Sequence, residues 1–188
     1  MKPLFVICCC LSLLSLHAQQ PSQEDIKVKT NGGTSLPLSG VKKQLTAIVF
    51  LSPDCPLSQN YTLVLNEIQK SRKELLQIIG VLPNAGDYSE QEIVTFKNKY
   101  AIGFPLLRDK KGVLVHYTHA TITPEVFLYD SKAVLLYKGA IDDWAISLGK
   151  KKRQTDQHYL RNAIDNYLQH KEVSPSETKA VGCFISNK

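Results

Sequence analysis

Two continuous apolar runs in the first half of the chain have the pattern of strands that are buried on both faces. The first is TAIVFLS, residues 46–52, and the second is LLQIIGVLP, residues 75–83. Neither run alternates with polar residues, as a strand with one solvated face would. Between them, apolar residues recur at the spacing of one helix face: Leu57, Tyr61, Val64, Leu65 and Ile68. This order predicts a central strand, a helix and a second strand.

Five further patterns extend this order. SEQE at residues 89–92 is a capping box that predicts a second helix, and it is followed by a short strand in FPLLRD and a short helix in GVLVHYTH. EVFLYD and AVLLYKG, residues 125–130 and 133–139, predict a hairpin turned at Ser131 and Lys132. Thr155 or Asp156 can cap a last helix. Its buried side is expected to hold Leu160, Ala163, Ile164, Tyr167 and Leu168.

Strands alternating with helices, followed by a hairpin and a last helix, are typical of an α/β sandwich around a mixed sheet. Two short strands around the Asn-Gly-Gly turn at residues 31–33 precede this unit. We expect one domain over residues 25–170. A mobile tail, residues 171–188, follows it and carries Cys183.

The first 18 residues have the layout of a secretory signal peptide. Lys2 precedes an apolar stretch from Leu4 to Leu16 that is too short to span a membrane as a helix. Cleavage after Ala18 would leave a flexible lead-in over residues 19–24. We therefore expect a secreted or periplasmic protein with no membrane span after cleavage, and favour this over a retained anchor or lipid.

Removal of the leader changes the number of cysteines. The chain has five, and three of them, Cys8, Cys9 and Cys10, lie in the leader. Two cysteines in an exported chain suggest a disulfide or a redox pair. No histidine stands at ligand spacing beside either, so we predict neither a metal site nor a cofactor. The one basic run, residues 149–153, fits a solvated loop, and export argues against a nucleic-acid partner.

Cys55 lies where the first central strand meets its helix. A thiol at a helix N-terminus faces free backbone amides that stabilise the thiolate. Pro56 suits the first helical position, and Ser58 follows one residue later. A buried core cysteine is the alternative. The polar residues around the junction favour a reactive thiol.

Two motifs together resemble a known family. Cys55-Pro-Leu-Ser58 is similar to the thioredoxin C-P-x-C motif with serine in place of the second cysteine, and Thr123-Pro124 stands directly before a strand. The chain resembles the thioredoxin superfamily over roughly residues 25–170, and within it the alkyl hydroperoxide reductase/thiol-specific antioxidant redoxins. The resemblance implies a thioredoxin-like three-layer sandwich with helices on both faces of the sheet. It also implies a cis-proline at Pro124, beside which an extended peptide can pair as an added strand.

The same resemblance leaves the chemistry open between disulfide exchange and peroxide reduction. Peroxiredoxins carry a hydroxyl three residues before the cysteine, a proline seven before it and a distant arginine. This chain offers Ser52 for the hydroxyl but has Ile48 at the proline position, and nothing places Arg108 at the sulfur. We therefore favour thiol–disulfide exchange through Cys55, with a thiol peroxidase as the alternative. A non-catalytic thioredoxin-like binding module is a third hypothesis.

Cys183 is the expected resolving thiol, because Ser58 cannot resolve a mixed disulfide on Cys55. A static disulfide and an unpaired thiol are the alternatives. An external thiol reductant or a protein disulfide substrate is the expected partner. His116 and His119 precede the Thr-Pro pair and would act there as a base or a positive neighbour. Trp144 is a candidate for the wall of a substrate groove, with packing at the rim as the alternative.

Overall fold

The strands and helices below come from a computed structural model that describes residues 27–29, 35–37, 43–84 and 86–186. The four helices in these ranges are α1 (Pro56–Ser71), α2 (Glu90–Lys99), α3 (Val113–Thr118) and α4 (Tyr159–Leu168). The strands of the central sheet are β3 (Leu45–Phe50), β4 (Leu76–Pro83), β5 (Leu106–Asp109), β7 (Glu125–Asp130) and β8 (Leu135–Gly139). Shorter strands are β1 (Lys27–Lys29), β2 (Ser35–Pro37), β6 (Ile122–Thr123), β9 (Ala145–Ser147), β10 (Lys150–Lys151) and β11 (Cys183–Phe184).

The central sheet is mixed, in the order β5-β4-β3-β7-β8. Strands β3, β4 and β5 run parallel, because α1 and α2 carry the chain back between them. The β7–β8 hairpin adds two antiparallel strands on the other side of β3. The order places β3 in the middle of the sheet, and the residue that follows it therefore lies at the centre of the sheet's edge.

Both faces of the sheet are covered, so the predicted sandwich is confirmed. Along β3, Ala47 and Val49 face a large core that includes apolar residues of α1, α2 and α4. Ile48 and Phe50 point to the opposite face and pack with Leu114 of α3. This alternation explains why the strand reads as one continuous apolar run.

The helix starts show where local signals determine structure. Helix α1 begins at Pro56, and Ser89 caps α2 in a reciprocal capping box with Glu92. The prediction that Thr155 or Asp156 caps α4 is wrong, since His158 is the residue before that helix and makes no side-chain cap. The carboxylate of Asp156 instead accepts a hydrogen bond from Lys152 at 2.7 Å.

The segment after α4 returns to the domain, which differs from the mobile tail that the sequence suggested. Thr178 donates its backbone N–H to the carbonyl of Lys138 at 3.0 Å, and its hydroxyl accepts the N–H of Ala140 at 3.0 Å. Gly139 permits this approach, because a Cβ at that position would lie 2.0 Å from the Thr178 carbonyl oxygen. Farther on, β11 pairs antiparallel with β6.

The proposed signal peptide, residues 1–18, and the lead-in, residues 19–24, lie outside the described residues. Within the described part of the chain, no helix is long and apolar enough to cross a membrane.

Candidate active site

Cys55 is the residue immediately before α1, at the sheet edge where β3 ends. Its backbone is extended, its N–H donates to the Ser52 carbonyl at 3.2 Å, and its side chain is 1% exposed. Pro56 occupies the first helical position and lacks an N–H, so no amide is left unpaired there. The thiol is thus aimed across the N-terminus of a sixteen-residue helix and is covered by other parts of the protein.

The loop before β7 supplies the first part of that cover. The Thr123–Pro124 peptide bond is cis, as the resemblance implied. The Thr123 carbonyl oxygen lies 3.1 Å from the Cys55 sulfur and accepts its S–H when the thiol is protonated. Glu125 holds the loop in place, because its carboxylate accepts the N–H groups of Thr121 at 2.9 Å and Ile122 at 3.4 Å.

The C-terminal segment supplies the second part of the cover and brings Cys183 to the site. In the pairing of β11 with β6, Cys183 stands opposite Thr123, and the Thr123 hydroxyl donates to the Cys183 carbonyl at 3.4 Å. Gly182 makes this pairing possible, since a Cβ there would lie 2.1 Å from the Thr123 carbonyl oxygen. Both Cys55 and Cys183 are free thiols in the structure.

The two thiols have opposite acidities because they share hydrogen bonds. Burial alone would raise the pKa of Cys55, but hydrogen bonds from Cys183 and Ser58 outweigh it and hold that pKa below its ordinary value. Burial, the hydrogen bond to Cys55 and the charge of its thiolate raise the pKa of Cys183 to about 12. The pair therefore holds a thiolate on Cys55 and a proton on Cys183.

Ser58, at the position of the second cysteine in a C-P-x-C motif, is completely buried. Its hydroxyl oxygen accepts the Ser52 N–H at 3.1 Å, which leaves its own proton for the Cys55 sulfur. The hydroxyl of Ser52, which the sequence offered as a peroxidase-like group, is 3.0 Å from the hydroxyl of Tyr88 and also accepts the N–H of Asp54 at 3.3 Å. Ser52 therefore acts on the site through its backbone, by positioning Ser58.

Comparisons with known proteins agree with this geometry. No protein-family model matches the chain. A thioredoxin-like protein of Bacillus subtilis, YneN, is 26% identical over 128 residues, which are 68% of this chain and 71% of that protein. The crystal structure of a hypothetical protein from Sinorhizobium meliloti superimposes with a TM-score of 0.74 at 25% identity, over 85% of this chain and 89% of the other.

This chain is a thioredoxin-fold protein. A secreted disulfide oxidoreductase of Mycobacterium tuberculosis, described as homologous to Escherichia coli DsbE, also shares the fold. Its TM-score is 0.53 at 16% identity, over 60% of this chain and 81% of that protein. The resemblance drawn from the two sequence motifs is thus confirmed at the level of the fold.

Other candidate residues of this thioredoxin-fold protein lie elsewhere. His119 ends α3, and with His116 it lines a separate cavity of about 540 Å³ whose other walls include Lys110 and Ser186. Arg108, considered for the peroxidase hypothesis, donates to Glu90 at 2.5 Å and to the Tyr88 carbonyl at 2.8 Å. These contacts place the three side chains in arrangements that do not involve the sulfur.

Trp144 packs at the rim of the larger core. Its ring meets that of Tyr61 edge to face at 5.7 Å, and the Lys151 ammonium lies 5.2 Å from the ring centroid. The Tyr61 hydroxyl donates to buried Asp142 at 2.5 Å, and Asp142 also accepts the Trp144 N–H at 3.0 Å. This network fixes the loop after β8, which is the packing role that sequence reasoning kept as the alternative.

Two functional residues escaped the sequence reasoning. Gly182 was noted only as the neighbour of Cys183, and Glu125 only as part of the motif after Pro124. A glycine directly before a cysteine is a usable signal for close backbone approach, whereas nothing local to Glu125 shows that it holds the loop. Among the described residues, no three His, Cys, Asp or Glu side chains form a group suited to a metal ion.

Proposed function

We propose that this protein is an exported thiol–disulfide oxidoreductase in which Cys55 is the nucleophile and Cys183 the resolving thiol. The observation that carries the proposal is the direct hydrogen bond between two free thiols of opposite acidity beside the Thr123–Pro124 loop. A static disulfide would need no such asymmetry. A redox pair benefits from it, because one sulfur serves as the attacking thiolate and the other stays protonated until needed.

The reaction begins when the Cys55 thiolate attacks one sulfur of a substrate disulfide. One substrate sulfur leaves as a thiolate, and the other remains bound to Cys55 in a mixed disulfide. Cys183, after loss of its proton, attacks the Cys55 sulfur and forms the Cys55–Cys183 bond. The second substrate sulfur leaves as a thiol, and the protein has transferred two electrons to the substrate.

Access to Cys55 requires movement of the C-terminal segment, because the sulfur is 1% exposed beneath it. The pairing of β11 with β6 involves only two residues on each strand, and so few backbone hydrogen bonds oppose its opening. The same edge of β6 would then be free to pair with an extended substrate peptide. Closing of the segment returns Cys183 to the mixed disulfide.

The comparisons and the leader support the activity class and the location. The relatives described above include a thioredoxin-like protein and a secreted disulfide oxidoreductase, and the latter supports the fold alone at its low identity. Export rests on the layout of residues 1–18 and on the chemistry, since a cysteine pair that cycles through a disulfide suits an oxidising compartment. A thiol donor in that compartment would restore the reduced pair.

The first experiment is to reduce the purified protein, remove the reductant and add an equivalent of a small disulfide such as oxidised glutathione. Trypsin separates the two cysteines onto residues 44–70 and 180–188, so mass spectrometry identifies their cross-link directly. We expect prompt formation of that cross-link and release of reduced glutathione. In the Cys183→Ser variant, the reaction should stop at a glutathione adduct on Cys55.

Two results would contradict the proposal. Unchanged turnover in the Cys183→Ser variant would remove the resolving role. A reaction that is slow with the disulfide but fast with hydrogen peroxide would favour a thiol peroxidase. If neither reagent modified Cys55, a binding module would be the better description.

A further inference from the structure

We propose that the thiol donor that reduces the oxidised protein attacks the sulfur of Cys183, so that substrate and reductant react at different cysteines. This inference rests on the proposed function, because it concerns the Cys55–Cys183 disulfide that the proposed cycle generates. It assigns to Cys183 a second role, as the residue through which electrons enter the protein.

Exposure is the first argument. Cys55 is 1% exposed and belongs to the larger hydrophobic core, whereas Cys183 is only partly buried and lies on the outermost segment of the site. Its neighbour Phe184 is 83% exposed, so a donor can approach this part of β11 from solvent. A disulfide between the two sulfurs would hold the segment closed over Cys55 and leave Cys183 as the accessible partner.

The direction of attack is the second argument. A thiolate attacks a disulfide sulfur along the line of the bond that breaks, from the side opposite the leaving sulfur. For attack on Cys183, that line leads outward, away from Cys55 and through the surface segment. For attack on Cys55, the line leads inward from Cys183, toward the buried residues that surround Cys55 in the core, such as Leu57 and Ser58.

The leaving group is the third argument. Attack on Cys183 releases Cys55 as a thiolate next to Ser58, whose hydroxyl and backbone N–H both stabilise a charged sulfur there. Attack on Cys55 would release Cys183, for which burial and the nearby Cys55 sulfur make the charged form unfavourable. Disulfides break faster when the departing thiol is the more acidic one.

The atoms and electrons balance with a dithiol donor. One donor thiolate forms a bond to the Cys183 sulfur as the Cys55–Cys183 bond breaks, and Cys55 departs with the electron pair. The second donor thiol, after losing its proton, attacks the donor sulfur of this mixed disulfide and releases the Cys183 thiolate, which takes up a proton. The donor is oxidised to a disulfide by two electrons, and the protein regains its thiolate and thiol.

The test uses the oxidised protein and a monothiol, 2-mercaptoethanol, with which the mixed disulfide accumulates. The protein is oxidised, and the cross-link between residues 44–70 and 180–188 is verified before any thiol is added. Samples taken at short times are quenched in acid, alkylated with N-ethylmaleimide and digested. Cys55→Ser and Cys183→Ser variants loaded with the same thiol supply the reference adduct on each peptide and show that both survive the digestion.

We expect the mercaptoethanol adduct on residues 180–188 and the alkyl group on residues 44–70, with an excess of at least about tenfold over the reverse pattern at the earliest times. An adduct that appears first on residues 44–70, or equally on both peptides, would overturn the inference. Absence of the cross-link before the thiol is added is a separate result, and it would refute the proposed function itself.

Discussion

Replacement of Ser58 by alanine tests the central electrostatic feature of the site. The substitution removes a hydroxyl that accepts the Ser52 N–H at 3.1 Å and donates to the Cys55 sulfur. The Ser52 amide is only partly buried, so loss of its acceptor should lower the free energy of unfolding by about 1 kcal/mol, the lower end for an unsatisfied donor. The thiolate loses a charge-assisted hydrogen bond, and the pKa of Cys55 should therefore rise.

The assays are urea unfolding for stability and the pH dependence of iodoacetamide alkylation, read on the peptide of residues 44–70. Ser71→Ala is the matched control, because Ser71 lies in the same helix with its hydroxyl bonded to the Ile68 carbonyl at 3.1 Å, in the last turn of α1. The control should leave the alkylation profile unchanged. If Ser58→Ala also left the midpoint unchanged, the Ser58 hydroxyl would not stabilise the thiolate, and the account of the lowered pKa would be wrong.

Three further predictions follow from other contacts. Cys183→Ala removes a hydrogen bond to the Cys55 sulfur, so the pKa of Cys55 should rise, and it should rise less in Cys183→Ser, which retains a donor. Gly182→Ala should separate β11 from β6 and increase the alkylation rate of Cys55 several-fold, because the added Cβ has no room. A hydrogen bond from Lys152 lowers the pKa of Asp143 to about 2, so Asp143 stabilises the fold above its ordinary pKa of about 4. That stability is lost as the pH falls through about 2, and Asp143→Asn should flatten this part of the stability curve in acid titrations of urea unfolding.

Each of these predictions has a result that would count against it. Equal alkylation profiles for Cys183→Ala and Cys183→Ser would mean that the thiol proton does not reach the Cys55 sulfur. Gly86→Ala is the control for Gly182→Ala, since a Cβ at Gly86 meets nothing within 4 Å, and equal rates in the two variants would argue against a covering strand. An unaltered acid slope in Asp143→Asn would show that the ion pair does not contribute to folding.

The sequence located the reactive cysteine because the relevant signals are local. A continuous apolar run predicts a central strand, and a proline after Cys55 marks the start of a helix. Strand and helix together determine where the thiol lies in an α/β sheet. The capping box of Ser89 and Glu92 was predictable for the same reason, since both partners lie within four residues of each other. The cap of α4 was not, because distant Asp143 binds the Asp156 N–H at 3.0 Å and orders the residues before that helix differently.

The fold class, the helix that presents Cys55 and the loop before β7 were therefore determined by the sequence alone, through periodicity and short motifs. The position of Cys183 was decided by the tertiary structure. Its strand is two residues long and has no hydrophobic period, and its partner strand is sixty residues earlier in the chain. Gly182 could be read as a small residue but not as the one that lets β11 reach Thr123. The acidity of the cysteine pair also depends on this pairing, because burial and hydrogen bonds from separate segments meet only in the folded protein.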